Sequence, residues 1–379
     1  MNIFKRGTAL LLVASLAVLA GCSSASSPKE AIMDAMAKNQ EATSMTYKGT
    51  LTIDDFALPP AAVLGAEGAA SADGGGGVNP SAAVTSMMFA FLKGAVINVH
   101  GAVQKSPQRA ELTMDIALGS GDVKLNLSVP MIITEDKTWI KVPQIPGLPL
   151  PETIAGKFVE IDMKKLEQEQ GTAGVAETPQ IGQELLQALL GSLDEKTFYS
   201  EPDAADVKGL AADQKVDQLV RFSINESNVE DAWTAIMEKA APQVIDILLK
   251  NEAYAKALKL SKADLEAAKK ELADKQKDGK LQAAVDEMKK SVKIHQLDVT
   301  GGITDDYLTY EGVDVNVESA DTAAAQGMKF GMHFDLSLAD INKDVKFEYE
   351  LPTDAVPVEK LQDMLGLGLP GMGGAAGTE

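Results

Sequence analysis

Few residues in this chain are of a type, and at a spacing, that could do chemistry. Cys22 is the single cysteine among 379 residues, so no disulfide can form within the chain. It stands behind Leu19, Ala20 and Gly21. The three histidines, His100, His295 and His333, are far apart and share no metal-ligand spacing. His333 falls on the polar side of an alternating run and is expected to be an ordinary surface residue. The glycines 74–77 are not followed by the Lys and Ser or Thr of a phosphate loop, and no G-x-S-x-G is present. Carboxylates are numerous, but on a chain with 55 Asp and Glu against 35 Lys and Arg they read as solvated faces. No nucleophile–base set, metal site or cofactor site is expected, and the chain does not read as an enzyme. A net charge of −20 also argues against nucleic acid as a partner.

The chemistry at Cys22 is done to the protein rather than by it. Lys5 and Arg6 precede an uncharged run from Gly7 to Val18, and small residues lead into the cysteine. These are the three parts of a secretory signal. The run is shorter than the roughly 20 apolar residues of a spanning helix. The stretch Leu19-Ala20-Gly21-Cys22 resembles a bacterial lipobox. That resemblance implies cleavage before Cys22, removing residues 1–21, and attachment of a diacylglyceryl group to its sulfur, usually with a further acyl chain on its amine. Each buried CH₂ is worth about 0.8 kcal/mol, so two or three chains hold a protein on a membrane where one would not. Loss of Lys5 and Arg6 leaves a net charge of −22. An anionic bilayer would repel such a body, so attachment at the extracytoplasmic face of the cell membrane must come from the lipid.

Behind the anchor, residues 22–28 read as a serine-rich tether and Pro28 opens a helix that runs to about Gln40. Met45, Tyr47, Gly49, Leu51 and Ile53 then alternate with polar residues, the period of a strand with one apolar face. Residues 57–79, rich in Ala, Gly and Pro, read as a disordered insertion. Val84, Met87, Met88, Phe91 and Leu92 form one helical stripe, which either caps a sheet or serves as a lid. Alternating runs return at 97–103, 112–118, 123–129, 139–142 and 158–161. A proline loop carrying Leu148 lies between the last two; it either rims a cavity mouth or packs on the sheet edge.

The middle of the chain has helical spacing. Ile181 to Leu193 makes a wide apolar stripe, and a strand follows at 219–224. Ser227 with Glu230 predicts a capping box for a helix whose buried face is Trp233, Ile236, Met237, Val244, Ile245 and Leu248. Pro242 is expected to kink or split that helix. Ser261 with Asp264 starts another, and Gly279 stops it. Strand patterns close the chain at Leu297–Val299, Val313–Val317, Phe330–Leu338 and Phe347–Leu351. A short helix is expected over 358–365, and residues 366–379 read as a disordered tail.

Alternation over eight or more strands predicts an antiparallel sheet with one buried face, and the apolar helix stripes must bury themselves against it. The class is therefore α+β, a large curved antiparallel sheet with helices on its concave face, in a single domain over 29–365. This order, with Ser44-Met45-Thr46-Tyr47 opening the first strand, resembles the LolA/LolB and LprG/LppX-type lipoprotein carriers. The resemblance implies a half-barrel whose cavity, between sheet and helices, takes acyl chains of a lipid or lipid-linked glycan. The chain is expected to be a monomer. If the interior is hollow, its lining is expected from Val84, Met87, Met88, Phe91, Leu92, Leu148, Trp233, Ile236, Met237, Phe330, Met332 and Phe334. With only 5% aromatic residues the interior is aliphatic, which suits an acyl-chain cavity and a solid core equally. The alternative is a structural or protein-binding lipoprotein with such a solid core. Cys22→Ser is expected to move the protein from the membrane to the soluble fraction on cell fractionation. Retention of that variant on the membrane would remove the anchor.

Overall fold

The computed structural model describes residues 27–57, 93–120, 123–145, 151, 153–165, 179–319 and 328–360. Cys22, residues 58–79 of the insertion, the stripe from Val84 to Leu92, Leu148 and the tail all lie outside these residues. Helix α1 (Pro28–Glu41) starts where its sequence says it should. The Ser27 hydroxyl accepts from the Glu30 N–H, the Glu30 carboxylate accepts from the Ser27 N–H, and Pro28 occupies the first turn.

The strands form one twelve-stranded sheet. They are β1 (Ser44–Ala57), β2 (Val96–Lys105), β3 (Gln108–Ser120), β4 (Val123–Thr134), β5 (Lys137–Lys141), β6 (Phe158–Asp162), β7 (Tyr199–Ser200), β8 (Gln218–Asn225), β9 (Val292–Thr304), β10 (Tyr307–Ser319), β11 (Lys329–Ala339) and β12 (Val356–Pro357). Their order is β12-β6-β5-β4-β3-β2-β1-β11-β10-β9-β8-β7. Every pairing is antiparallel except β12 with β6. The fold is thus α+β, with a large, open, curved sheet. Both halves of the chain contribute to it and meet at β1 and β11.

Alternation assigns the faces. Leu51, Ile97 and Ile116 share the inner face with Phe334, Val313, Val299 and Phe222. Helix α1 packs on the β7–β10 end of this face, burying Ala31, Ile32 and Ala35 with Val220, Phe222, Ile224 and Ile294. The close approach depends on Gly301: a Cβ there would stand 2.7 Å from the Ile32 Cδ1 and 2.8 Å from the Leu308 Cδ1. Asn39 fixes the far end of α1, donating to the Leu308 carbonyl and accepting from its N–H.

Further helices build outward from α1. They are α2 (Pro179–Gly191), α3 (Glu195–Phe198), α4 (Val229–Ala235), α5 (Ala241–Lys250), α6 (Glu252–Ala257), α7 (Lys262–Lys277) and α8 (Leu281–Ser291). Of these, α4 touches β8 and α8 touches β9, whereas α5 packs against α2, α6 and α7. A five-residue π-helical turn, Ile236–Ala240, joins α4 to α5. Pro242 explains it. With no N–H, Pro242 leaves the carbonyls four and five residues earlier without a donor. These belong to Glu238 and Met237, and the Gln276 side-chain amide of α7 donates to both, at 3.3 and 3.4 Å. Pro242 therefore splits the α-helix, as expected, and does so through a widened turn.

Two expectations are corrected. Ser227 does not cap α4: Asn228 precedes the helix and ties it down, accepting from the Asn225 N–H and donating to the Ser223 and Thr197 carbonyls. Glu230 turns instead to Lys289 and Gln282 of α8. The alternating run Phe347–Leu351 is no strand. Its N–H groups at Glu348 and Tyr349 donate to the buried Glu111 carboxylate rather than to a ladder, and Arg109 joins Glu111 to the Tyr349 carbonyl. The segment thus crosses the outer face as a strap. A second strap, around residues 203–217, is pinned where the Tyr310 hydroxyl donates to the Lys208 carbonyl. Val207 and Leu210 pack there on Leu219 and Tyr310. Gln276→Leu keeps the packing volume of α7 but orphans two carbonyls. It is expected to lower stability by about 1 kcal/mol in a urea titration.

Candidate functional site

The apolar rows of the inner face are buried on β8 and at Ile294, Gly301 and Ile303 of β9 but stay half-buried on β1 to β4 and β11. Along this half lie Leu51, Ile97, Val99, Met114, Leu127, Met332 and Phe334. Tyr47 keeps its polar end out of the way by donating to the Glu111 carbonyl across Gly101.

One charged side chain stands in phase with these apolar rows. On β10, Val313, Val315 and Val317 face inward, and two residues before Val313 the same register brings Glu311. A single line across the sheet runs Val99, Gly49, Leu336, Glu311, Gly301, Val220. Glu311 therefore sits where the helix-covered end gives way to the half-buried end. It makes no hydrogen bond or ion pair with any described residue. Surrounding protein, not a neighbouring charge, pushes its carboxyl up to about 7. A small part of its surface remains accessible, so solvent reaches a group otherwise walled by protein. A second orphan borders the same core: the buried Trp233 Nε1 of α4 has no acceptor among the described residues.

The other candidates separate. Phe330, Met332 and Phe334 lie together on the inner face of β11, with Phe330 edge-to-face against Phe56. Trp233 packs beneath α4 on the β8 end. Ile236 is half-buried in the π-helical turn. Met237 is buried, but among Leu272 and Leu281 of α7 and α8, between helices rather than over the sheet. Val84, Met87, Met88, Phe91, Leu92, Leu148 and Cys22 fall outside the described residues.

His333 is a correction. It is only 3% exposed, because residues near Gly209 close over Asp335 beside it. Its Nδ1 lies 2.8 Å from Asp314, and its Nε2 is 3.5 Å from Asp335. On the outer face, His333 is thus buried between two part-exposed carboxylates. His100 and His295 sit elsewhere in separate, part-exposed ion pairs. Among the described residues no group of three or more His, Cys, Asp or Glu could hold a metal ion. No described helix is long and apolar enough to cross a membrane.

A cleft of about 490 Å³ opens between α4 and the α7–α8 pair, lined by Thr234, Glu238, Gln276, Gly279, Leu281, Gln282 and Val285. Its wall is more polar than apolar and open to solvent, unsuited to an oily guest. It is remote from the convergence of apolar rows at Glu311, which is the better candidate on chemical grounds. No family model matches the chain, and no curated protein matches it.

The signal for Glu311 was present in the sequence, as a carboxylate in phase with Val313, Val315 and Val317. The folded group keeps its proton up to about pH 7, whereas an unfolded glutamate releases it near 4.5. The native state therefore binds more protons in that window and loses stability as pH rises through it; above it the loss is complete. Glu311→Gln is expected to raise stability at about pH 8 by about 3 kcal/mol and to leave it unchanged near about pH 4. Denaturant titrations at the two pH values check this; equal stability of variant and wild type at both would contradict the burial of this carboxyl.

Proposed function

We propose that this chain is a lipoprotein of the cell envelope that binds an apolar, lipid-like ligand against the inner face of its sheet. The observation that carries the reading is the half-buried apolar surface of β1 to β4 and β11, beside an end of the same face sealed by α1 and α4. A contiguous apolar surface of this kind, with one inward polar group at its margin, is the usual make-up of a small-molecule site. The wall is aliphatic and rich in methionine, which adapts to chains of varied shape. The signal-like start and the lipobox-like stretch ending at Cys22 support a body outside the cytoplasm, tethered to the membrane by acyl chains. The role in this reading is binding; among the described residues no nucleophile and base converge at the site.

Organic extraction of the purified protein followed by mass spectrometry is expected to recover a stoichiometric amphiphile. The delipidated protein is expected to take up the apolar fluorophore N-phenyl-1-naphthylamine saturably. Phe334→Glu, which sets a second carboxylate in the middle of the inner face, is expected to weaken that uptake by about tenfold or more. Protein that yields no lipid and gives no saturable uptake would favour a solid-cored interaction protein.

A further inference from the structure

Within the carrier reading, Glu311 has a task that apolar packing does not explain. The geometry points to Glu311 as the polar anchor of the site: it receives the hydrogen-bond donor head, ammonium or hydroxyl, of an amphiphile whose chain lies across β11, β1 and β2. The inference rests on the reading above and narrows it to a class of ligand.

The position argues first. Glu311 is flanked in register by Leu336 on β11 and Gly301 on β9. On the β9 side Ile32 fills the space over Gly301, so a chain cannot extend that way. On the β11 side the next residues in the line are Leu336 and then Gly49 of β1, where the flexible end of the Leu336 side chain, 3.1 Å from a Cβ built on Gly49, is the neighbour a chain would pack on. The half-buried direction from Glu311 therefore runs over Leu336 toward Val99.

The chemistry argues second. No described cation faces the carboxyl. The two lysines of α1 are engaged elsewhere, Lys29 with the Gly191 and Leu193 carbonyls and Lys38 with Asp306 and the Asp305 carbonyl. Its other ionisable residues do not serve: Glu30 caps its own helix, and Asp34 and Glu41 are acidic. On β9 and β11, Lys293, Asp298, His333 and Asp335 lie in the opposite phase and face outward. Burial accordingly acts alone on Glu311. A carboxylate held in an apolar row without a partner is costly, and a ligand donor would relieve that cost. A ligand carboxylate would meet repulsion instead.

The test is calorimetric titration of the delipidated mature protein with lauryl amine, lauryl alcohol, laurate and methyl laurate at about pH 8 and about pH 5.5. Wild type is expected to bind the amine or the alcohol at least about tenfold more tightly than laurate at the higher pH. An ammonium head is identified by affinity that rises from the lower pH to the higher as Glu311 ionises. A hydroxyl head is identified by affinity that changes little. Glu311→Gln and Glu311→Leu are expected to erase the preference while still binding methyl laurate. If both variants bind all four compounds as wild type does, Glu311 is no anchor and the carrier reading stands without it. If wild type binds none of the four, the carrier reading falls and the anchor with it.

Discussion

The pairing of β1 with β11 is the constraint on which the rest depends. It is the seam where a meander from the first half of the chain meets one from the second, and without it the two would be separate sheets. A slip of one residue along this seam would turn Phe334 and Leu336 outward and His333 and Asp335 inward. Several contacts forbid it. At one end Asn342 bonds the Thr43 N–H through its side chain and the Ser44 carbonyl through its backbone, while the Ser44 hydroxyl donates to the Lys343 carbonyl. At the other a bulge between Ile53 and Asp55 resets the pairing, and Phe56 meets Phe330. In the middle the Asp335 carbonyl lies so close to Gly49 that no side chain fits there. The line that brings Leu336 beside Glu311 is a consequence of this fixed register.

The register also sorts polar from apolar. The outer face does not simply meet water. It carries Glu111, His333, Asp298 and Thr300, all buried, and each bonded to a strap or a cross-strand partner. A sheet polar on one side normally leaves that side to solvent. Here irregular segments with backbone groups to satisfy lie across it, and the buried Glu111 carboxylate and the Tyr310 hydroxyl satisfy them. The inner face shows the reverse economy. Its apolar side chains need no partners, so a single polar group among them is conspicuous by chemistry, not by exposure.

The α+β class, the mixing of both halves into one sheet and the helical middle were legible because period two and period 3.6 survive in the sequence with few interruptions. The capping box at Ser261 was legible because both of its members are local. What failed depended on distant partners. The run Phe347–Leu351 has a strand's alternation, but Glu111, more than two hundred residues earlier, takes its N–H groups. Pro242 does split the α-helix, but the form of the split, a π-helical turn, is not legible because the donor to its neighbours' carbonyls, Gln276, lies on another helix. His333 was read as surface because alternation reports which face a residue is on and says nothing of what covers that face. Glu311 is hidden for a related reason: among 55 acidic residues one more carries no weight until the register puts it inside.

Whether the interior is a site or only a core turns on what a solid core would tolerate. A core selected for stability alone has no use for an unpaired carboxylate, since leucine or glutamine at the same place would remove the cost of burying a charge. The position of Glu311 sharpens the point. It lies on β10 beside Gly301, which the Ile32 side chain of α1 covers, and not at an outer rim, where water would satisfy it. It lies at the boundary between the sealed and half-buried parts of one apolar surface, where a group can be desolvated and still be reached. That combination is poor for holding a protein together and good for holding a molecule that is oily along its length and polar at one end.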